Sequence, residues 1–269
     1  MEELKYTLIT GATGGLGKAF TKECAKLGQN LILTATNQDR LDELKKETLK
    51  KFNIKIITKS CDLSNYNDIC DFVNFLDANK LQIENFISNA GFITEGSIQY
   101  AQTDTLIKCI KVNCEGIVHL TKKILDRKPP KVKMRILSVT SMAGEYSMPY
   151  MAIYSATKSM LTSFMTSLGI EYKKDNVRVL IVKPGAIATT QEMKDAINAQ
   201  GLKGKLSSID PNTIASKSLR LLFKTHKKSY IPGFFNKLTI FSSALFSKNC
   251  KAKIAGKMWK KSQEKRNIK

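Results

Sequence analysis

Tyr6-Thr7-Leu8-Ile9-Thr10-Gly11-Ala12-Thr13-Gly14-Gly15-Leu16-Gly17 joins an apolar run to an amphipathic one through a glycine-rich turn. Tyr6 to Thr10 reads as a buried strand, and Leu16 to Leu27 as a helix with one apolar face. Glycines between them let the backbone turn tightly and come close to a pyrophosphate. That group would sit on the helix N-terminus, where unpaired N–H groups point outward. Many strand-to-helix turns need glycine only for a positive φ, so the glycines alone decide little. The order strand, turn, helix favours a dinucleotide site.

Outward from this turn, apolar runs and helical patterns alternate. Strands are expected at Asn30 to Ala35, Ile54 to Lys59, Ile83 to Ser88, Lys133 to Val139 and Val177 to Val182. A charged helix from about Gln38 to Phe52 follows the second strand, and helices fill the other intervals. Strands that are apolar along their whole length argue for a parallel sheet covered on both faces. The expected fold class is α/β, a doubly wound Rossmann-like parallel sheet. No boundary splits the chain before about residue 224. Residues 1–224 therefore read as one dinucleotide-binding and catalytic domain, and 225–269 as a basic amphipathic C-terminal extension.

Composition excludes much other chemistry. With only two histidines, His119 and His226, a zinc site or a His-based triad is not expected, and no metal is assigned. The six cysteines form no CxxC pair and read as free thiols in a reducing compartment. The chain opens Met1-Glu2-Glu3-Leu4-Lys5 with no basic n-region and apolar h-region. No segment offers the apolar length of a membrane span, because Asn236, Lys237, Ser242 and Ser243 interrupt the best one, Ile231 to Phe246. A cytoplasmic location is expected. The net charge is +21, of which +12 falls from Lys224 onward, where 13 Lys/Arg face one acid, Glu264. So concentrated a charge suggests an anionic partner surface.

The motifs that follow the first turn occur in a recognisable order. Thr10-Gly11-Ala12-Thr13-Gly14-Gly15-Leu16-Gly17 fits TGxxxGxG, and Asp62-Leu63 follows the third strand. Ser88-Asn89-Ala90-Gly91, Val112-Asn113, Ser138-Val139-Thr140-Ser141, Tyr154-Ser155-Ala156-Thr157-Lys158 and Pro184-Gly185 come next, with Ile187 and Thr189 just beyond. Over roughly Tyr6 to Thr190 the chain resembles the short-chain dehydrogenase/reductase family. Ser88 replaces the first Asn of that family's NNAG. The resemblance implies a nicotinamide-dependent enzyme with Asn113, Ser141, Tyr154 and Lys158 as its catalytic tetrad. It also implies cofactor contacts from Gly11, Thr13, Gly15, Leu16, Gly17, Asp62, Leu63, Asn89, Ala90, Gly91, Tyr154, Lys158, Pro184, Gly185, Ile187 and Thr189. Asp62 would meet the adenine ring, Thr189 the nicotinamide end, and Asn113 would order a water leading through Lys158 to solvent. Such relatives are commonly homodimers or homotetramers, assembled through the helices that carry Asn113 and Tyr154.

The residues support that chemistry on their own terms. Tyr154 and Lys158 are four apart, so a helix presents them on one face. A phenol near pKa ~10 is a poor acid/base at neutral pH, and a neighbouring ammonium is expected to lower it. Ser141, thirteen positions before Tyr154, offers a hydroxyl to an oxygen on which negative charge develops. At the end of the second strand stands Thr34-Ala35-Thr36-Asn37, with no acid before Asp39 to bind a ribose. Without that repelling carboxylate NADP(H) is expected over NAD(H), with Thr36 and Arg40 as contacts and Lys18 near enough to help. Met142, Met148, Met151 and Met193 fit either the core or a pocket for an apolar carbonyl or alcohol substrate, such as a steroid or fatty-chain ketone.

The last segment, from Ile231, has three readings: a cap over the substrate cleft, a subunit contact, or an interfacial helix on an anionic membrane. Phe234, Leu238, Phe241 and Leu245 recur there at helical spacing before the lysine-rich run Lys248 to Lys265. Two other functions compete with the enzyme. A catalytically silent nucleotide-sensing regulator would have no need of an intact Ser141/Tyr154/Lys158 set. A nucleic-acid-binding protein would use the lysines, but no aromatic platform or reading motif accompanies them, so no specific nucleic acid is expected.

Overall fold

Alternation along each strand decides which side of the sheet its residues face. Leu8, Ile32, Phe86, Ile136 and Ile181 pack on one side, and Ile9, Leu33, Ile87, Leu137 and Leu180 on the other. The computed structural model describes residues 5–266, so the lead-in at 1–4 lies outside the described residues. The strands are β1 (Lys5–Thr10), β2 (Asn30–Thr34), β3 (Ile56–Thr58), β4 (Gln82–Ser88), β5 (Met134–Val139), β6 (Val177–Val182) and β7 (Ser229–Tyr230). All pair in parallel, in the spatial order β3-β2-β1-β4-β5-β6-β7. The chain winds outward from β1 to β3, then returns to β4 and winds the other way. β1 and β4 therefore part at their C-terminal ends, where a doubly wound sheet opens its ligand crevice.

Helices α1 (Gly15–Lys26), α2 (Gln38–Leu49) and α9 (Pro211–Lys224) cover one face, using Phe20, Leu41, Ile214 and Leu222. Helices α3 (Tyr66–Ala78), α5 (Ile117–Asp126) and α6 (Ala152–Glu171) cover the other with Phe72, Leu120, Ile124, Leu161 and Met165. Helix α4 (Thr103–Ile110) runs into α5 through a π-helical turn, Lys111–Gly116. Helices α7 (Gln191–Ala199) and α8 (Gly201–Ser207) follow β6.

The composition shift at residue 224 does not mark the edge of the sheet. β7 lies beyond it and pairs with β6 through Ile181–Ser229 and Val182–Tyr230. Its two residues follow Lys227-Lys228, so no apolar run announced it. Gly233, with φ +86°, then turns the chain into α10 (Phe234–Ser243), and α11 (Lys248–Lys265) closes the described chain. Both fold back over the C-terminal edge of the sheet. Ala255 of α11 joins Ala143, Met148 and Met151 in a small third core, with Tyr146, Tyr154 and Trp259 against it. No helix among the described residues is long and apolar enough to cross a membrane.

Candidate active site

The site is built on the parting of β1 and β4. Gly11 has φ +62°, and a Cβ there would lie 2.9 Å from the Ala90 Cα, so the two turns touch. Gly17 sits as tightly: a Cβ would lie 2.1 Å from the Gly11 carbonyl oxygen. The second turn is tied to the first by hydrogen bonds. Thr10 Oγ1 accepts from the backbone N–H groups of Asn89 and Ala90, both at 3.1 Å. Asn89 Nδ2 donates to the carbonyls of Thr10 (3.0 Å) and Gly11 (3.2 Å). Helix α1 then begins with Gly14 as N-cap, no capping side chain and no acid in its first turn. Its positive end faces the cleft unneutralised, which suits a phosphate.

Asn113 owes its position to the π-helical turn, whose extra residue per turn swings its amide inward. It is fully buried. Its Oδ1 accepts from Phe92 N at 2.8 Å, and its Nδ2 donates to the Phe92 carbonyl (2.8 Å) and Thr157 Oγ1 (3.1 Å). The turn can press this close because Gly116 has no side chain, a Cβ there lying 2.0 Å from the Leu63 carbonyl oxygen. Ser141 lies two residues past the end of β5 and caps the short 3-10 turn Met142–Glu145, accepting from Ala143 N at 3.1 Å. Its hydroxyl also hydrogen-bonds Tyr154. Tyr154 and Lys158 stand one turn apart on α6, with the Lys158 ammonium 5.8 Å from the Tyr154 ring centre. Lys158 is 3 % exposed; its Nζ donates to the Val139 carbonyl at 3.3 Å and lies beside Gly91.

Electrostatics at the pair differ from the sequence expectation. Among the protein groups alone, burial pushes the Tyr154 phenol up to about 12, with only the Ser141 hydrogen bond pulling the other way. Burial likewise takes the Lys158 ammonium down to about 8. The neighbouring ammonium does not win, because it is itself short of solvation and has no carboxylate beside it.

These elements surround a cleft of about 830 Å³. Its lining includes three of the four tetrad residues, Ser141, Tyr154 and Lys158, with Asn113 buried behind it. It also includes Gly11, Thr13, Gly15, Leu16, Gly17, Thr36, Asp62, Leu63, Asn89, Ala90, Gly91, Pro184, Gly185, Ile187 and Thr189. Asp62 Oδ1 accepts from Ser64 N (2.8 Å) and Ser64 Oγ (2.7 Å), which fixes it at the cleft's edge. Thr189 leans on Gly15, since a Cβ there would lie 2.5 Å from Thr189 Cγ2. Arg40 is not brought to the cleft. It is exposed on the first turn of α2, where its N–H is held by the N-cap Asn37 at 2.9 Å. Lys18 is exposed on α1 and does not line the cleft either.

The residues fit a nicotinamide dinucleotide: an uncapped helix end and glycine cradle at one end, Tyr154, Ser141 and Lys158 at the other, within one continuous cleft. Beyond that end the walls turn apolar. Met142, Met148, Met151 and Met193 all face the cleft. The last two helices wall the cleft, as the cap reading of this segment expected, through side chains that the sequence did not single out as pocket residues: Phe235, Asn236 and Thr239 of α10, and Ile254, Met258 and Trp259 of α11. Their spacing gave no sign of which face turns inward. Gly256 packs on Pro149, 3.1 Å from where a Cβ would stand. Arg266 grips Glu95 with two bonds of 2.8 Å, tying the end of α11 to the loop after β4.

The sequence profile of the short chain dehydrogenases matches residues 5–200. A very-long-chain 3-oxoacyl-CoA reductase of Bos taurus is 32% identical over 189 residues, 69% of this chain and 60% of that protein. A dehydrogenase/reductase SDR family protein 7-like of Anopheles gambiae is 29% identical over 232 residues, 83% of this chain and 73% of that protein. Among solved structures, a 7beta-hydroxysteroid dehydrogenase superposes with a TM-score of 0.82 at 20% identity, covering 93% of this chain and 96% of that one. With most of its length matched, the chain belongs to the short-chain dehydrogenase/reductase family, oxidoreductases that act on a CH–OH/C=O pair with NAD(P).

Proposed function

We propose that this protein interconverts a carbonyl and a secondary alcohol on an apolar, long-chain or polycyclic small molecule, with NADP(H) as the partner. The observation that carries the reading is the placement of Tyr154, Ser141 and Lys158 at the inner end of a methionine-lined cleft. When bound, the nicotinamide supplies or accepts the hydride at the carbonyl carbon. Tyr154 Oη gives its proton to the carbonyl oxygen as the alcohol forms, and takes one back in the reverse direction. Ser141 donates a hydrogen bond to that oxygen as its charge develops. Lys158, partly desolvated, holds the tyrosine's oxygen end in a positive field and returns its proton. Asn113, locked by Phe92 and Thr157, keeps the Lys158 side of the site in shape.

The apolar walls and the bovine relative that acts on a very-long-chain 3-oxoacyl-CoA both support a fatty-chain ketone. The decisive assay follows NADPH absorbance across long-chain β-ketoacyl thioesters, steroid ketones and short polar ketones. Turnover of the apolar classes is expected; consumption of polar ketones only would refute the substrate class. For the cofactor, NADPH is expected to exceed NADH in kcat/KM. Ala35→Asp would shift the ratio toward NADH by roughly tenfold or more, because a carboxylate at the end of β2 repels a 2′-phosphate. Thr36, which lines the cleft, would strengthen NADPH binding as Thr36→Arg through a charge-assisted bond. NADH outperforming NADPH in the unmodified enzyme would reverse the assignment.

The six free thiols support a reducing, cytoplasmic setting. Half-exposed Ile107 and Ile110 on α4, with Met160 on α6, support assembly into a dimer or tetramer through those helices.

A further inference from the structure

Helix α10 has two opposite faces with different neighbours. Phe235, Asn236 and Thr239 look into the cleft, and Asn236 is fixed by donating to the carbonyls of Ser207 (3.0 Å) and Pro232 (2.8 Å). Phe234, Leu238 and Phe241 fall within about 60° of arc on the other side. They are 82%, 51% and 78% exposed. Leu245 and Phe246, just past the helix, are 84% and 49% exposed, and Leu202 on the neighbouring α8 is 73% exposed. A row of five large apolar side chains with no cover is unusual on a folded chain and marks a contact surface.

Charge chooses the occupant. Lys237, Lys248, Lys251, Lys253, Lys257, Lys260 and Lys261 lie between Phe234 and Gln263, a stretch without one acidic residue. None of these lysines forms an ion pair among the described residues. A second copy of the chain would bring seven more lysines against these seven, so self-association through this face is opposed by like charge. An anionic bilayer meets both demands, because phenylalanine and leucine enter the acyl boundary while lysines stay at the headgroups.

We propose that the outer face of α10, with Leu245 and Phe246, seats this protein on an anionic lipid surface. The inner face of the same helix walls the cleft, so docking brings the apolar cleft to the edge of the bilayer. This placement stands or falls independently of which carbonyl compound is reduced.

The test is co-sedimentation of the full-length protein with vesicles of equimolar phosphatidylserine and phosphatidylcholine, or of phosphatidylcholine alone. Sedimentation with the mixed vesicles at low salt, and release at high salt, is expected. Phe234→Ser/Phe241→Ser should weaken binding by roughly tenfold or more, and Lys253→Gln/Lys257→Gln/Lys260→Gln should abolish the preference for phosphatidylserine. Both variants alter only exposed positions, and retained NADPH binding confirms that they are folded. Protein left in the supernatant with mixed vesicles at low salt overturns the proposal. So does vesicle binding that ignores the serine pair, which would reduce the contact to charge alone. A dimer that becomes a monomer in the serine variant, with no vesicle binding in either, would assign the face to self-association instead.

Discussion

Tyr154→Phe is expected to lower kcat by about 10²- to 10⁴-fold while leaving the dissociation constant for NADPH within a factor of about three. The substitution removes one oxygen. The ring keeps its place in the third core beside Met148, Met151 and Ala255. What disappears is the proton that must reach the carbonyl oxygen, since Lys158, 5.8 Å from the ring centre, is placed to return a proton to the phenol. Ser141 Oγ already accepts from Ala143 N and would still polarise the carbonyl, which accounts for residual turnover. The measurements are steady-state kinetics on the best substrate and a fluorescence titration with NADPH. Turnover within tenfold of the parent enzyme would remove Tyr154 from the proton step.

Lys158→Met is expected to do two opposite things. Turnover should fall at least as far as for Tyr154→Phe, because the positive field on the phenol and the return path for its proton are both lost. The cofactor-free protein should nevertheless become more stable near neutral pH. In the fold the ammonium ionises near 8, against 10.5 for an ordinary lysine. The folded pKa lies below the unfolded one, so the unfolded chain binds more protons between those values, and parent stability rises as pH climbs through that window. Below about pH 8 the buried charge costs its full amount, on the order of 3 kcal/mol, less about 1 kcal/mol for the lost bond to the Val139 carbonyl. An uncharged thioether in its place escapes that cost. Thermal melts should show the variant ahead at pH 7 and its lead shrinking by pH 10. A variant less stable than the parent at pH 7 would mean that Lys158 is well solvated in the fold.

Most of this site could be read along the chain because its parts are local. The glycine turn, the tyrosine and lysine one helical turn apart, and strands apolar from end to end are all settled within a few residues. Gly11 and Gly17 do stand where a Cβ would strike backbone, which is why no other residue suits them. What escaped depends on distant contacts. β7 is two polar residues that become a strand only because β6 offers a free edge. The π turn at Asn113 interrupts a pattern that reads as plain helix. Arg40 is close enough in sequence to reach a 2′-phosphate, yet the N-cap at Asn37 starts α2 in a direction that leaves it exposed. The spacing of Phe234, Leu238 and Phe241 correctly announced a helix. A regular apolar row also suggests burial, and here that row faces outward while its less regular opposite face packs inward.

The grip of Arg266 on Glu95 joins residues 171 positions apart, so it belongs among the last contacts a growing or refolding chain can make. Everything that cradles the dinucleotide precedes residue 190, whereas the wall formed by α11 awaits the end of the chain. The enzyme should therefore acquire its ability to hold a nucleotide before it acquires a place to hold a substrate. Its single tryptophan, Trp259, sits in that last wall and records the event. During refolding, NADPH fluorescence should rise first, and the Trp259 emission should shift in a later, slower phase.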